Sequence, residues 1–156
     1  MSQENVEIVR RFIQEFATKP DDLPSIISTF WDADCDYRPV RKFPDALPRH
    51  SREEVSRFMV QFHETWDRFE QPIKQLLPVG DDRVLAITAM RAEVPGSRVM
   101  MEGDIYQCVW LRHGLIFRWE DHLTLKGALY ALGLPGETLK AAGLEEQAVS
   151  QGHCHA

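Results

Sequence analysis

The sequence lacks the features that would place it in a membrane or on nucleic acid. None of its apolar runs approaches the roughly 20 residues that a membrane-spanning helix needs. The 18 basic and 24 acidic residues give a formal charge of -6 and form no block of one sign, which argues against nucleic acid as a partner. The amino terminus has no cationic segment followed by an apolar one, so we expect a cytoplasmic protein.

Reactive motifs are also scarce. Cys35, Cys108 and Cys154 are an odd number at spacings that match neither a disulfide framework nor a zinc site, and they suit a reducing compartment. There is no glycine-rich phosphate loop, serine nucleophile motif or HExxH motif. The tail GHCHA has no evident fourth ligand, which favours adventitious metal binding over a built site. We therefore expect chemistry without a metal or cofactor.

The hydrophobic periodicity that is present predicts helices first and strands later. Apolar residues at three- and four-residue spacing predict an amphipathic helix over residues 3–18 and a short one after Asp22. A half-buried strand is expected around Cys35 and Tyr37. The segment SREE at Ser51 is a capping box, which predicts the start of a third helix.

From Gln71 onward the period changes to two, which is typical of strands. We expect strands at residues 71–79, 83–94, 98–112 and 115–123, and a last short helix capped by Thr124. This order predicts an α+β domain over residues 1–134, followed by a tail at 135–156. Its helices would pack on one face of a curved antiparallel sheet that encloses a pocket for a small apolar molecule.

Four segments resemble the SnoaL-like branch of the nuclear transport factor 2 (NTF2) superfamily. They are SQENVEIVRRFIQEF, DADCDYRP, SREEV and HGLIFRWEDHLTLKGALYALGL, and together they span about residues 2–134. The resemblance implies an NTF2-like cone. It leaves the function open, because this superfamily includes steroid isomerases, polyketide cyclases, dehydratases, epoxide hydrolases and proteins without catalysis.

The last hairpin predicts which residues face the pocket. If His113-Gly114 is a two-residue turn, one face carries four aromatic residues around a few polar groups, as a ligand pocket does. That face consists of Asp104, Tyr106, Cys108, Trp110, Phe117, Trp119, Asp121 and Leu123. The opposite face carries the apolar set Ile105, Val109, Leu111 and Ile116, which predicts a homodimer surface.

The resemblance also implies site residues. The run GLIFRWED is similar to the strand of limonene epoxide hydrolases and polyketide cyclases that carries the catalytic acid, which places Trp119 and Asp121 at the matching positions. Tyr37 is similar to the water-orienting tyrosine of the hydrolases. Their arginine and second aspartate would fall near Ile87 and Ala89, so we do not expect epoxide hydrolysis.

Each candidate also has a structural interpretation. Asp121 is either a pocket acid with a raised pKa, or a strand-end residue that pairs with Arg118 or caps the last helix. Tyr37 either donates to a ligand oxygen or is a core aromatic residue. Asp104 and Tyr106 extend the same predicted pocket face, with Asp104 alternatively at a solvated rim.

Four further side chains are candidates for substrate binding. His63 either enters the pocket from the third helix or is a surface or core-satisfied residue. Arg38 either holds an anionic group or pairs with a neighbouring aspartate. The core and the apolar wall of the pocket are expected to be built together by Trp31, Phe58, Phe62 and Trp66.

Two functions of different class follow from these residues. The first is a cofactor-independent enzyme that uses general acid and base catalysis on a small, apolar, oxygenated molecule, as isomerases, cyclases and hydrolases do. The alternative is a ligand-binding or dimerisation module of the same fold without catalysis.

Overall fold

The computed structural model describes residues 2–40 and 47–135. Its helices are α1 (Ser2–Thr18), α2 (Leu23–Phe30), α3 (Arg52–Thr65) and α4 (Leu125–Ala131). Its strands are β1 (Trp31–Arg38), β2 (Arg49–Ser51), β3 (Arg68–Glu70), β4 (Ile73–Val79), β5 (Arg83–Glu93), β6 (Met100–Arg112) and β7 (Leu115–His122). No helix within the described ranges is long and apolar enough to span a membrane.

Two helix starts form at the predicted caps. The Ser51 hydroxyl accepts from the backbone N–H of Glu54 at 3.2 Å, and the Glu54 carboxylate accepts in turn from the backbone N–H of His50 at 2.7 Å. These bonds satisfy N–H groups that have no partner inside the helix. Thr124 caps α4 in the same way, accepting from the backbone N–H of Gly127 at 3.0 Å.

The sheet is mixed, whereas the sequence predicted an antiparallel one. Its strand order is β2-β1-β7-β6-β5-β3, and β4 also pairs with β5. All pairs are antiparallel except β1 and β7, which run parallel. A parallel pair needs a long connection. The chain segment that joins β1 to β7 contains all the other strands, β2 to β6. The α+β prediction is confirmed, since the helices and the curled sheet form a half-barrel.

The strand predicted at residues 71–79 forms as β4 but begins later, at Ile73. A short strand that was not predicted, β3, precedes it at Arg68–Glu70. The two segments pair with opposite halves of β5, and Pro72 lies between them. Proline cannot donate a ladder hydrogen bond, which accounts for the break.

Helices α1, α2 and α3 cover the inner face of the sheet and form the main core there. Fully buried members of that core are Val9, Phe12, Ile27, Trp31, Val55, Val109 and Ile116. A second buried cluster lies on the outer face beneath α4, where Leu85 and Cys108 meet Leu125 and Leu129. The middle of the sheet is therefore buried on both faces.

A bulge in the last hairpin decides which side chains face inward. The turn is as predicted, because Arg112 pairs with Leu115 around His113 and Gly114, both of which have positive φ. Two steps later the register shifts: Leu111 pairs with Ile116, but Trp110 pairs with Arg118. The extra residue on β7 is Phe117.

This shift makes the predicted pocket face of β6 wrong. Asp121 pairs with Gln107, not with Tyr106, so the inward side chains of β6 are the set assigned to the opposite face. The proposed dimer surface, Ile105, Val109, Leu111 and Ile116, consists of core residues that are at most 6% exposed. That set cannot form an interface between two copies of the chain.

Candidate active site

Asp121 lies near the end of β7 with its carboxylate turned inward and held by three donors. The Tyr37 hydroxyl donates to Oδ2 at 3.0 Å. The Trp119 indole N–H donates to Oδ1 at 2.8 Å, and the Gln107 amide donates to the same oxygen at 3.2 Å. Three hydrogen bonds to one carboxylate fix its orientation.

Three neighbouring strands bring these groups together. Trp119 and Asp121 are two residues apart on β7, so their side chains share a face. The parallel strand β1 places Tyr37 beside Trp119, and the antiparallel strand β6 places Gln107 beside Asp121. The pairing of β1 with β7 therefore creates the site.

A chain of amides and a hydroxyl extends the polar group toward β5. The Gln107 carbonyl oxygen accepts from the Thr88 hydroxyl and from the Gln71 amide, both at 3.4 Å. The Gln71 amide also donates to the Thr88 oxygen at 3.1 Å. Because an ionised carboxylate can only accept, Gln107 must turn its nitrogen toward Asp121, and this orients the rest of the chain.

A narrow cavity of about 30 Å³ is lined on its polar side by Tyr37, Gln71, Gln107 and Asp121. Its walls combine polar ends with aromatic and other apolar side chains, namely Phe16, Tyr37, Phe58, Met59, Phe62, Phe69, Gln71, Met90, Ile105, Gln107 and Asp121. Such a volume holds about one water, whereas small-molecule sites usually measure roughly 300 Å³ or more. Binding of a larger molecule requires side chains of the wall to move.

Burial controls the ionisation of the two titratable groups on the cavity. Removal from water raises the pKa of Asp121 above its usual value, against the opposing effect of its hydrogen bonds from Trp119, Tyr37 and Gln107. Burial, reinforced by the negative charge of Asp121, raises the pKa of the Tyr37 hydroxyl well above its usual value. Tyr37 therefore stays a proton donor while Asp121 is a carboxyl group suited to exchanging protons.

Many solved structures share this architecture, although their sequences differ strongly from this one. No protein-family profile matches the chain, and no curated protein is similar to it in sequence. The protein Bal32a from a soil-derived mobile gene cassette superposes with a TM-score of 0.68 at 17% identity, over 78% of this chain and 89% of that one.

Two further solved structures resemble this chain to a similar degree. A candidate SnoaL-like polyketide cyclase from Jannaschia sp. CCS1 gives a TM-score of 0.67 at 16% identity, over 86% of this chain and 94% of that one. A protein of ketosteroid isomerase-like fold from Catenulispora acidiphila DSM 44928, in complex with trimethylamine, gives 0.65 at 19% identity, over 83% and 94%.

This chain has the NTF2-like fold. Within that fold, the structure brings together three residues that the sequence predicted as one site, Tyr37, Trp119 and Asp121. The structural alternatives for Asp121 are wrong: Arg118 pairs with Glu120, and Thr124 caps the last helix. The hydroxyl of Tyr37 faces Asp121 from an otherwise buried ring, so Tyr37 is both a core aromatic residue and a site residue.

Asp104 and Tyr106 do not reach the cavity. Both lie on the outer face of β6 because of the bulge at Phe117. Asp104 forms a salt bridge with Lys74 at 2.8 Å, and Tyr106 packs in the cluster beneath α4. Their assignment to the pocket was wrong, because a one-residue shift exchanges the two faces of a strand.

Arg38 and His63 take their structural alternatives. Arg38 pairs with Asp36 at 3.3 Å on the solvent side of β1. The imidazole Nε2 of His63 lies 2.7 Å from the backbone carbonyl oxygen of Phe16, and burial lowers the pKa of this side chain. His63 thus joins α3 to the end of α1 and does not line the cavity.

Two predicted wall residues also lie away from the cavity. Trp31 is fully buried behind the site and stacks on Trp119 with ring centroids 5.9 Å apart. Trp66 follows the end of α3 and packs on Phe62, at 6.0 Å between centroids. Phe58 and Phe62 do line the cavity, as the sequence predicted.

The positions compared with the epoxide hydrolase relay were misplaced. Ile87 packs in the outer cluster, and Ala89 pairs with the outward residue Asp104. The inward neighbours on β5 are Thr88 and Met90, neither of which is ionisable. This strand therefore lacks an acid, arginine, acid relay because its inward residues are Thr88 and Met90. The expected reason was that Ile87 and Ala89 occupy the relay positions, but both face outward.

Three polar residues of the site were not predicted from the sequence: Gln71, Thr88 and Gln107. Gln107 lay on the face assigned to the outside, and only knowledge of the bulge would have moved it inward. The sequence offered a signal for Thr88, because a buried threonine in the apolar run VLAITAM needs a hydrogen-bond partner.

No group of three or more potential metal ligands occurs in the described residues, and the predicted adventitious metal-binding segment GHCHA lies outside them.

Proposed function

We propose that this chain is a cofactor-independent acid–base enzyme of the isomerase, cyclase or hydrolase type, which acts on a small, apolar, oxygenated molecule. The observation that supports this proposal is the buried Asp121 carboxylate beside a cavity, with its pKa raised by desolvation and its Oδ2 bonded, within the described part of the chain, to the single donor Tyr37. The second lone pair of that oxygen is available to accept a proton.

Asp121 and Tyr37 have complementary roles in the proposed reaction. Asp121 Oδ2 takes a proton from a carbon next to a substrate carbonyl. The electron pair of the broken C–H bond forms a carbon–carbon double bond, and the π pair of the carbonyl moves onto its oxygen to give an enolate. The carboxyl group is then neutral and a weaker acceptor, so the Tyr37 hydroxyl turns to donate to the enolate oxygen. Return of the proton from Asp121 to another carbon of the enolate completes an isomerisation, and return of a deuteron that Asp121 has taken from the solvent completes an exchange.

Deuterium exchange tests this proposal without the natural substrate. In D₂O the wild-type protein should accelerate deuterium incorporation next to the carbonyl of cyclohexanone, measured by mass spectrometry. Asp121→Asn should reduce the accelerated rate by about 100-fold or more, as is usual when a general base is lost. Asp104→Asn removes a carboxylate outside the cavity and should leave the rate unchanged. Wild-type exchange no faster than that of Asp121→Asn would contradict the catalytic role.

A non-catalytic binding module is the second candidate. It is favoured by the small volume of the cavity and by the full engagement of Asp121 Oδ1 with Trp119 and Gln107. In that case small ligands bind, but no deuterium exchange occurs in the wild-type protein.

A further inference from the structure

The hydrogen-bonding capacity left on the cavity wall consists mainly of acceptors. The Tyr37 and Thr88 hydroxyls donate to Asp121 and Gln107, and the Gln71 nitrogen donates to both Thr88 and Gln107. Of the two hydrogens on the Gln107 nitrogen, one is bonded to Asp121 and one remains. Among the residues that the structure describes, no donor occupies the remaining lone pairs of Asp121 Oδ2, the Tyr37 oxygen and the Gln71 carbonyl oxygen.

The charged residues around the cavity disfavour an anionic ligand. Asp121 is the acid on the cavity, and the described residues that line it include no lysine, arginine or histidine. The Arg49 guanidinium packs behind this wall, 5.1 Å from the centre of the Phe58 ring, and its charge acts on Tyr37, but it does not line the cavity. An anionic ligand would meet the Asp121 carboxylate with no cationic side chain among the described lining residues to bind it directly.

Aromatic rings make up much of the remaining wall. Five of them line the cavity, Phe16, Tyr37, Phe58, Phe62 and Phe69. They form a continuous cluster, with centroids 5.5 Å apart for Tyr37 and Phe58 and 5.2 Å apart for Phe62 and Phe69. Aromatic faces attract cations, and the attraction is strongest where water is excluded.

We propose that the ligand of this cavity is a small organic ammonium ion with an apolar body and one hydroxyl or carbonyl oxygen. Its positive charge lies among the phenylalanine rings and faces Asp121. Its N–H or O–H groups donate to the free acceptors. This inference rests on the proposed function only because both use the same cavity. It concerns the charge of the bound molecule and does not require catalysis.

The ligand enters by displacement of the outer aromatic side chains. Phe16, Phe62 and Phe69 are only partly buried and lie at or near the ends of α1, α3 and β3. Their outward rotation enlarges the cavity and leaves the fully buried core around Phe12 and Trp31 in place. The polar groups around Asp121 then stay fixed while the aromatic side opens.

A pair of isosteric probes tests the proposed charge. Choline and 3,3-dimethylbutan-1-ol have the same shape and the same hydroxyl, and they differ in a nitrogen cation against a neutral carbon. Ligand-observed NMR should show choline binding to the wild-type protein at least tenfold more tightly than the alcohol. Asp121→Asn should weaken choline at least tenfold and leave the alcohol unchanged, while Asp104→Asn should alter neither.

Substitution of one ring separates aromatic attraction from the carboxylate. Phe69→Leu keeps an apolar side chain on β3 and should weaken choline threefold or more without weakening the alcohol. Equal affinity for the two probes, no binding of choline up to millimolar concentration, or equal loss in Asp104→Asn and Asp121→Asn would each overturn the inference. Asp121-dependent deuterium exchange of a neutral ketone would still stand in those cases, so the two proposals fail separately.

Discussion

At the scale of single residues, the environment of Asp121 suits an uncharged side chain of the same shape. Oδ1 accepts from Trp119 and Gln107, and an asparagine oxygen at that position can accept both bonds. The nitrogen replacing Oδ2 can donate to the Tyr37 oxygen, because a hydroxyl can reverse its role. The carboxylate therefore costs free energy through desolvation without offering hydrogen bonds that an amide lacks.

We predict that Asp121→Asn is more stable than the wild type, and increasingly so as the pH rises. The folded-state pKa of Asp121 is raised, so no penalty exists below the unfolded-state pKa, where both states are protonated. The penalty grows between the unfolded and folded pKa values and is complete above the folded one. The melting temperatures of Asp121→Asn and the wild type should diverge as the pH rises from 4 to 8. At pH 8 the difference should correspond to an unfolding free energy on the order of 1 kcal/mol.

A constant or reversed difference would contradict this assignment. A variant less stable than the wild type at every pH would mean that the carboxylate stabilises the fold. Asp104→Asn is again the matched control, because it loses a surface salt bridge worth about 1 kcal/mol or less and should show no such divergence.

At the scale of elements, local chemistry was predictable and long-range pairing was not. The caps at Ser51 and Thr124 and the turn at His113-Gly114 depend on a few adjacent residues, and all three formed as predicted. The bulge at Phe117 depends on which side chain the core accepts, and this cannot be read from the hairpin alone. Trp119 and Asp121 were placed correctly because they lie on one strand, whereas Gln107 was misplaced because its position depended on the register.

The cap of α4 should control access to the thiol beneath it. Cys108 is fully buried under α4, and its thiol lies 3.3 Å from the Ala128 carbonyl oxygen. Cys35 is buried in the main core instead, and burial raises the pKa of its thiol to about 11. Thr124→Ala removes the cap, at a cost of about 1 kcal/mol, and loosens α4 alone. Cys108 should then react several-fold faster with a thiol reagent, and Cys35 should stay slow.

Peptide mapping of the labelled protein measures these rates. Cys154, outside the described residues, is predicted to label quickly in every variant. Thr65→Ala, which changes an exposed threonine at the end of α3, should accelerate neither buried thiol. Equal acceleration of Cys35 and Cys108 in Thr124→Ala would show that α4 does not open independently of the main core.

At the scale of the whole molecule, the two-sided burial of the sheet changes where a second copy could bind. The apolar set predicted as the interface lies inside the main core, and α4 covers much of the outer face. Large apolar side chains that stay exposed beside this helix are Leu123, at 44%, and Tyr130, at 86%. The homodimer remains a prediction, and these two residues are now the side chains with which to test it.

We expect light scattering at micromolar concentration to give the mass of a dimer, with α4 and its surroundings as the contact between copies. Leu123→Lys combined with Tyr130→Glu should shift the protein to the monomer mass, because charges on a buried interface are costly to desolvate. Met101→Glu is the control: Met101 is equally exposed, at 44%, but lies on β6 away from α4, and the dimer should persist. A monomer mass for the wild type would refute the dimer, and a dimer that survives the double substitution would place the interface elsewhere.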